Sequence, residues 1–333
     1  MVGIRDVAKY AGVSPSTVSR ALSGVAFVEP QTKERVLEAV SALNYKPNLA
    51  ARSLKKGSTK LIGLIIPDVT NPYYPEIVKC METYASLAGY SMILCDALGS
   101  VEKEQYYMET LQHLFVDGIL YIASTESIDH IKPYVGTVPM VVVNRTFDLD
   151  VPCVNIDNVD ATYQVTNYLL KNGHRDIALL INDKDRQYNK ERLEGVEKAL
   201  QEYGLEQRED LIIRNVKDEE DIRERTKKLL SRKDRPSAIF AFNDYMVFAV
   251  YKAVYELNMT IPGDVSIAGF DDIPFVKYLN PSLTTIRHSL QDSAESVFEK
   301  LEEQMKTAKC AGRSVTYNKG RLVVRDSVKK LGV

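Results

Sequence analysis

Cysteine is scarce in this 333-residue chain, and none of it is arranged for chemistry. Cys80, Cys95, Cys153 and Cys310 lie far apart and form no C-x-x-C pair. This excludes a zinc ribbon and a disulfide framework, and all four read as small buried hydrophobes. Long apolar runs are missing too: none approaches the ~20 residues that cross a bilayer. No basic, apolar, small-residue export signal opens the chain, so no membrane partner and a cytoplasmic location are expected. Gly57-Ser58-Thr59-Lys60 lacks the preceding glycine and the spacing of a phosphate loop, and there is neither a G-x-S-x-G elbow nor a histidine-based metal cluster. Accordingly no catalytic residue, no metal and no cofactor is assigned, and an enzyme is not expected.

What is present is a chain 45 % hydrophobic, long enough for two or three domains with substantial cores. Its net charge of −2 conceals an asymmetry. Residues 1–60 hold ten Lys or Arg against four Asp or Glu, a net +6, which leaves −8 for the remainder. A basic head on an acidic body suits one end facing phosphate while the rest stays away from it.

That head carries the most specific local pattern. Ile4, Val7, Ala8 and Ala11 fall at i, i+3, i+4 and i+7 and make one apolar helical stripe, which Gly12 ends. Ser14 suits an N-cap and Pro15 the first position of a second helix, because proline lacks the amide that would be orphaned there. Val18 and Leu22 pack this helix onto the first, leaving Pro15, Ser16, Thr17, Ser19 and Arg20 outward. Hydroxyls and N-terminal amides hold phosphate, and arginine clasps guanine bidentately, so the second helix reads as one built to enter the major groove of double-stranded DNA. A third helix, opened by Pro30, carries Val36, Ala39, Val40 and Leu43 on one face.

Between Pro47 and Gly57, Asn48-Leu49-Ala50-Ala51-Arg52-Ser53-Leu54-Lys55-Lys56 could form barely two helical turns, which are marginal alone because nucleation is costly. One leucine among cations suits a minor-groove wedge. The same residues would also serve as a flexible linker whose leucine packs on a neighbouring domain.

The run Ile4–Ser23 resembles the N-terminus of the lactose-repressor (LacI/GalR) family of bacterial transcription regulators. Leu43-Asn44-Tyr45-Lys46-Pro47-Asn48 and Ala50-Ala51-Arg52-Ser53-Leu54 are similar to the segments that follow it there. The resemblance implies a hinge helix that pairs with that of a second copy and inserts Leu54 into the operator centre, with Ala51 at the packing position. The DNA-contacting set is then Ser14, Pro15, Ser16, Thr17, Arg20, Asn48, Ala51, Arg52, Leu54 and Lys55.

From Lys60 onward short apolar runs alternate with amphipathic stretches. Strands are expected at Leu61–Ile66, Met92–Cys95, Gly118–Ala123, Met140–Val143, Ile177–Ile181, Ala238–Phe242 and Val265–Phe270. Helical patterns between them include Glu76–Leu87, Glu104–Leu114 and Arg192–Tyr203. Nearly continuous apolar strands covered by helices on both faces make a doubly wound parallel sheet, and this length suits two such sheets with a cleft between them. In open parallel sheets ligands bind beyond the strands' carboxyl ends. The residues there are polar: Asn71, Tyr73 and Tyr74, then Asp96, Ser124, Asn144 with Arg145, Asn243 and Asp271, while Arg192 opens the helix after Ile177–Ile181. Amides, carboxylates and guanidinium match vicinal hydroxyls, and aromatic faces cover a sugar ring. Asp244 and Asp272 read as helix caps, Tyr163 and Tyr251 as packing residues.

This region is similar to the effector domain of the same family and, more distantly, to periplasmic pentose-binding proteins of the type I binding fold. The matching stretches are Asn71-Pro72-Tyr73-Tyr74, Val143-Asn144-Arg145, Arg192-Leu193-Glu194-Gly195, Phe242-Asn243-Asp244 and Gly269-Phe270-Asp271-Asp272. The resemblance implies an all-α helix-turn-helix headpiece plus an α/β periplasmic-binding-protein-like type I core of two doubly wound parallel-sheet subdomains. Tyr73 and Tyr74 would face the sugar ring, and Asn71, Arg145, Arg192, Asn243 and Asp271 its hydroxyls. Asn144 stands where sugar binders often have Asp, and His288 at a cleft position often held by glutamine. The expected organisation is a headpiece over 1–46, a hinge helix over 47–58 and a core over 59–330. Within the core, 59–158 with 288–317 form one subdomain and 159–286 with 319–330 the other. The function implied is that of a homodimeric, sequence-specific repressor, nucleoid-associated when bound to operator, whose affinity a small sugar-like effector controls. No heptad of leucines marks a tetramer. Two alternatives stay open at this point: a catabolite-control regulator whose corepressor is a phosphorylated carrier protein, and a sugar-binding protein that binds no DNA.

Overall fold

The apolar stripe of the N-terminus folds as α1 (Ile4–Ala11), which packs against α2 (Pro15–Ser23) and α3 (Pro30–Ala42). Their shared core is Val7, Ala8, Ala11, Val18, Ala21, Val36 and Ala39, with Ile4, Leu22, Val40 and Leu43 at its margin. Gly12 stops α1 in the left-handed conformation, φ +65°, its amide donating to Ala8 O. A side chain there would be strained, so glycine ends the helix at little cost. The computed structural model describes residues 2–23, 27–46, 57–182, 186–307 and 312–332, and these form two units that divide after Thr59. The residues expected to form the hinge, Asn48, Ala51, Arg52, Leu54 and Lys55, lie outside the described residues, as does Cys310.

The second unit alternates strand and helix. Its first sheet holds β1 (Leu61–Ile66), β2 (Ser91–Asp96), β3 (Gly118–Tyr121), β4 (Met140–Val143), β5 (Pro152–Ile156) and β11 (Ser314–Asn318), all parallel, in the order β11-β5-β4-β3-β1-β2. Its second holds β6 (Ile177–Ile181), β7 (Ile212–Arg214), β8 (Ala238–Ala241) and β9 (Ser266–Ala268), also parallel, in the order β7-β6-β8-β9. β10 (Thr285–His288) and β12 (Gly320–Val323) form an antiparallel pair where the chain runs between the two sheets. The helices are α4 (Tyr73–Leu87), α5 (Val101–His113), α6 (Asn158–Lys171), α7 (Gln187–Glu202), α8 (Glu219–Leu230), α9 (Asp244–Glu256) and α10 (Leu290–Thr307). β3, β4, β5, β6, β8 and β9 are buried throughout, as strands covered on both faces must be.

Three local expectations need correction. Arg192 does not open its helix, because α7 begins at Gln187 and Arg192 lies in its second turn. Asp244 is not the cap of α9; the side chain of Asn243 accepts from the Met246 amide at 2.9 Å, and Asp244 is the first helical residue. Asp272 caps nothing either, since its carboxylate takes Arg287 and Arg325. Of the cysteines described, Cys95 and Cys153 are buried but Cys80 only half-buried.

α6 and α7 pack closely at Gly195, where an added Cβ would collide with Val159 O and Thr162 Oγ1. Val159 O is backbone and cannot swing aside. Gly195→Ala is therefore expected to destabilise the fold by about 2 kcal/mol, overpacking outweighing alanine's better helix propensity. A lowered urea midpoint at unchanged slope would report this, and an unchanged or raised midpoint would contradict it.

Candidate functional site

In the headpiece, Ser14 does what its type allows: its Oγ accepts from the Thr17 amide at 3.2 Å and lies 2.7 Å from Ser16 Oγ and 2.9 Å from Thr17 Oγ1. Pro15 begins α2 next to this cap. Ser14, Pro15, Ser16 and Arg20 are exposed and Thr17 half-buried. Arg20 lies along the helix, Nε donating to Ser16 O at 3.4 Å, so the hydroxyls and the guanidinium share one exposed face.

In the core, one cavity of about 610 Å3 of atom-free space, part of it open to solvent, sits beyond the carboxyl ends of both sheets. Asn71, Tyr73, Tyr74, Asn144 and Arg145 reach it from the first sheet, with Ile122 at its floor. Arg192, Asn243 and Asp271 reach it from the second sheet, so eight sequence-predicted residues are brought together.

Local chemistry explains their placement. Asn71 Oδ1 accepts from the Tyr73 amide at 3.1 Å, turning the chain into α4 and pointing the Tyr73–Tyr74 pair at the cavity, edge to face at 5.6 Å. Asn144, at φ +59°, donates to Tyr73 Oη at 2.9 Å. Burial pushes both phenols above their ordinary pKa, so they stay neutral hydroxyls. Asp271 and Asp272 both have positive φ, +117° and +52°, a strained pair held from behind. The buried Asp244 carboxyl accepts from Ile273 N at 3.1 Å and Thr285 Oγ1 at 2.8 Å, while Asp272 is gripped by its two arginines. Burial, then Asp271 nearby, pushes the Asp244 carboxyl well above the usual carboxylate range.

Arg192 is a buried cation held by three neighbours. Its Nε donates to Asn158 Oδ1 at 3.0 Å, its Nη1 to Phe242 O, and its guanidinium lies 3.7 Å from the Phe270 ring centre. Burial lowers its pKa, and Asp271 opposes that shift. Arg145 pairs with Glu126 and lies 4.7 Å over the Tyr188 ring; Arg192 lies 5.0 Å from the same ring. Arg145 belongs to the first-sheet side, so Tyr188 ties the two walls together.

Three expected residues do not line this cavity. Asp96 ends the edge strand β2, one strand too far out, and its Oδ1 accepts from the Leu98 amide at 3.2 Å. Ser124 is turned inward: its amide donates to the buried Glu104 carboxylate, which also accepts from Tyr121 Oη at 2.8 Å and lies 2.7 Å from His130 Nε2. It serves the rim through its carbonyl, which accepts from Arg186. His288 lies behind Tyr73 and Asp271. Conversely, Asn158, Asn182, Tyr188 and Ile156 line the cavity without having been expected. Asn182 directly follows β6, so the carboxyl-end rule reaches it; Tyr188 stands mid-sequence in a polar stretch and gives no such signal.

Among the described residues, no group of three His, Cys, Asp or Glu is placed to hold a metal ion, and no helix is long and apolar enough to cross a membrane.

Comparison with known proteins agrees with this architecture. Residues 3–48 match the family of bacterial regulatory proteins of the lacI type, and residues 59–316 match periplasmic binding proteins and the sugar binding domain of the LacI family. The chain is 34 % identical over 334 residues to the HTH-type transcriptional repressor PurR of Vibrio vulnificus, covering 99 % of this chain and 100 % of that one. A lac repressor dimer bound to operator and the anti-inducer ONPF shares the fold, with TM-score 0.86 at 24 % identity over 98 % of this chain and 99 % of that one. The transcriptional regulator CelR in complex with cellobiose is 26 % identical, with TM-score 0.72 over 98 % and 100 %. A helix-turn-helix unit followed by a two-sheet binding core defines a DNA-binding transcriptional regulator, and the alternative without DNA binding falls away. The chain belongs to the LacI family of bacterial regulatory proteins.

Proposed function

We propose that this chain is a homodimeric repressor whose operator affinity is set by a neutral, polyhydroxylated small molecule, a sugar or sugar derivative, bound between the two sheets. The carrying observation is charge balance. Arg145 is paired with Glu126, and Arg192 shares the cavity lining with the Asp271 carboxylate, so the two guanidiniums are matched by two carboxylates. An anionic ligand gains little there, whereas hydroxyls accept from the arginines and amides and donate to Asp271. Tyr73 and Tyr74 line the cavity with aromatic surface against which a ring can pack. The relative complexed with cellobiose adds support from a protein of the same architecture.

Dimerisation is supported by exposed apolar surface on the core. Tyr255 and Tyr278 are exposed at an open groove that Phe248 and Leu279 also line, and Leu87, Leu94 and Leu98 are exposed at or beside the edge strand β2. A second copy related by a two-fold axis would cover both patches and bring two headpieces to one pseudo-palindrome. Between them, Leu54 of each copy would wedge the central minor groove, flanked by Asn48, Ala51, Arg52 and Lys55.

A thermal-shift screen of monosaccharides, sugar phosphates and nucleobases tests the ligand class. At a concentration near one hundred times Kd, a neutral sugar is expected to raise Tm by roughly 5 °C. Stabilisation by a sugar phosphate or a nucleobase, with none by any neutral sugar, would overturn the assignment.

A further inference from the structure

Behind the effector cleft lies a second cavity, between α4, the Asp271–Pro274 segment and the start of α10, with about 560 Å3 of atom-free space, part of it open to solvent. Tyr73 and Asp271 line both cavities and form the partition between them. His288 faces the rear side. Its side chain is only 2 % exposed, and its Nε2 lies 3.4 Å from Asp271 Oδ1 without hydrogen-bond alignment. Neither ring nitrogen has a hydrogen-bond partner. Buried imidazole nitrogens are seldom left so, and a donor entering the cavity would satisfy the one that accepts.

We propose that this rear cavity is a second binding site, for a small primary ammonium compound with an aliphatic stem. Acceptors dominate its polar wall: the Glu76 carboxylate, which no Lys or Arg pairs among the described residues, the Asp271 carboxylate, and His288. Arg287 does not offset them, being held on Asp272. An inorganic cation is disfavoured, because no three metal-ligating side chains here converge closely enough to hold one. An ammonium, by contrast, carries three N–H donors and needs no fixed coordination geometry. Ile273, Pro274 and Leu290 supply an apolar wall for its stem. Because Asp271 and Tyr73 are shared, a ligand here shifts the affinity of the front cleft and the reverse, whatever the front ligand is.

The test reads His288 itself and so does not depend on the effector assignment. The chain has four histidines, whose Cε1–H resonances can be followed in the full-length protein, with His288→Gln and His113→Gln assigning two of them. Titration with n-butylammonium chloride is expected to move the His288 resonance saturably. Sodium chloride at equal ionic strength should not do so. Glu76→Gln, at a half-buried helix position, should raise the half-saturation concentration by about fivefold or more while leaving the His288 resonance of the unliganded protein in place. No saturable shift, an equal shift with sodium chloride, or unchanged binding by Glu76→Gln would each overturn the proposal.

Discussion

Arg192→Ala is expected to abolish the effector response while operator binding without effector stays within about threefold of the parent. The guanidinium makes charged hydrogen bonds to Asn158 and to the Phe242 carbonyl and stacks on Phe270. Each charged hydrogen bond contributes about 1.5–3 kcal/mol, so a ligand deprived of a donor held this firmly loses roughly 10- to 150-fold in affinity. The loss has two sources. One is the donor itself; the other is the charge balance of a cavity that the Asp271 carboxylate also lines. Arg192→Lys separates them, restoring charge but not the forked geometry, and should recover only part of the affinity. Titrating effector into operator-bound protein and following release by fluorescence anisotropy checks this, and an unchanged half-effect concentration in Arg192→Ala would remove Arg192 from the ligand's contacts.

Arg20→Ala is expected to lower affinity for the specific operator by about 5- to 150-fold, the 1–3 kcal/mol of one base-reading arginine. Arg20 shares one exposed face with Ser14 and Ser16 at the N-terminus of α2, whose hydroxyls and helix amides suit phosphate. The two kinds of contact differ in signature. A base reader loses discrimination at one position of the site, whereas a phosphate contact weakens all sequences alike and reduces the salt dependence by about one unit of slope. Binding of Arg20→Ala to single-base variants of an operator selected by the parent from a random duplex pool distinguishes them. Uniform weakening across those variants would contradict base reading.

The headpiece was legible because its information is local. A four-residue apolar stripe, a glycine stop, a serine cap and an N1 proline each follow from one residue's chemistry, and each appears in the structure as expected. The long buried strands β1, β4 and β6 were legible for the same reason, their apolar runs coinciding with the strands. β5, β7, β10, β11 and β12 were not foreseen as strands. Pro152-Cys153-Val154-Asn155-Ile156 mixes a proline and a polar residue into its run, while Ser314–Asn318 and Gly320–Val323 are only partly buried and carry polar residues that tertiary pairing, not pattern, makes into strands.

In the cleft, residues directly after sheet strands were found by position, but the rule carries no information on which strand ends are central. Asp96 failed because β2 is an edge strand, and strand order is not readable from one chain's periodicity. Ser124 failed because a buried acid, Glu104, drew its amide inward, a contact across twenty residues. Tyr188 escaped because it acts through its ring between two arginines that meet only in the folded core.

The most direct measurement is the dissociation constant for the selected operator with and without a saturating sugar identified by thermal shift, taken at fixed salt on the full-length protein. A change of roughly 5- to 150-fold, lost in Arg192→Ala, is expected of a cleft coupled to a DNA-binding headpiece. An identical constant with the cleft filled and empty would contradict that coupling.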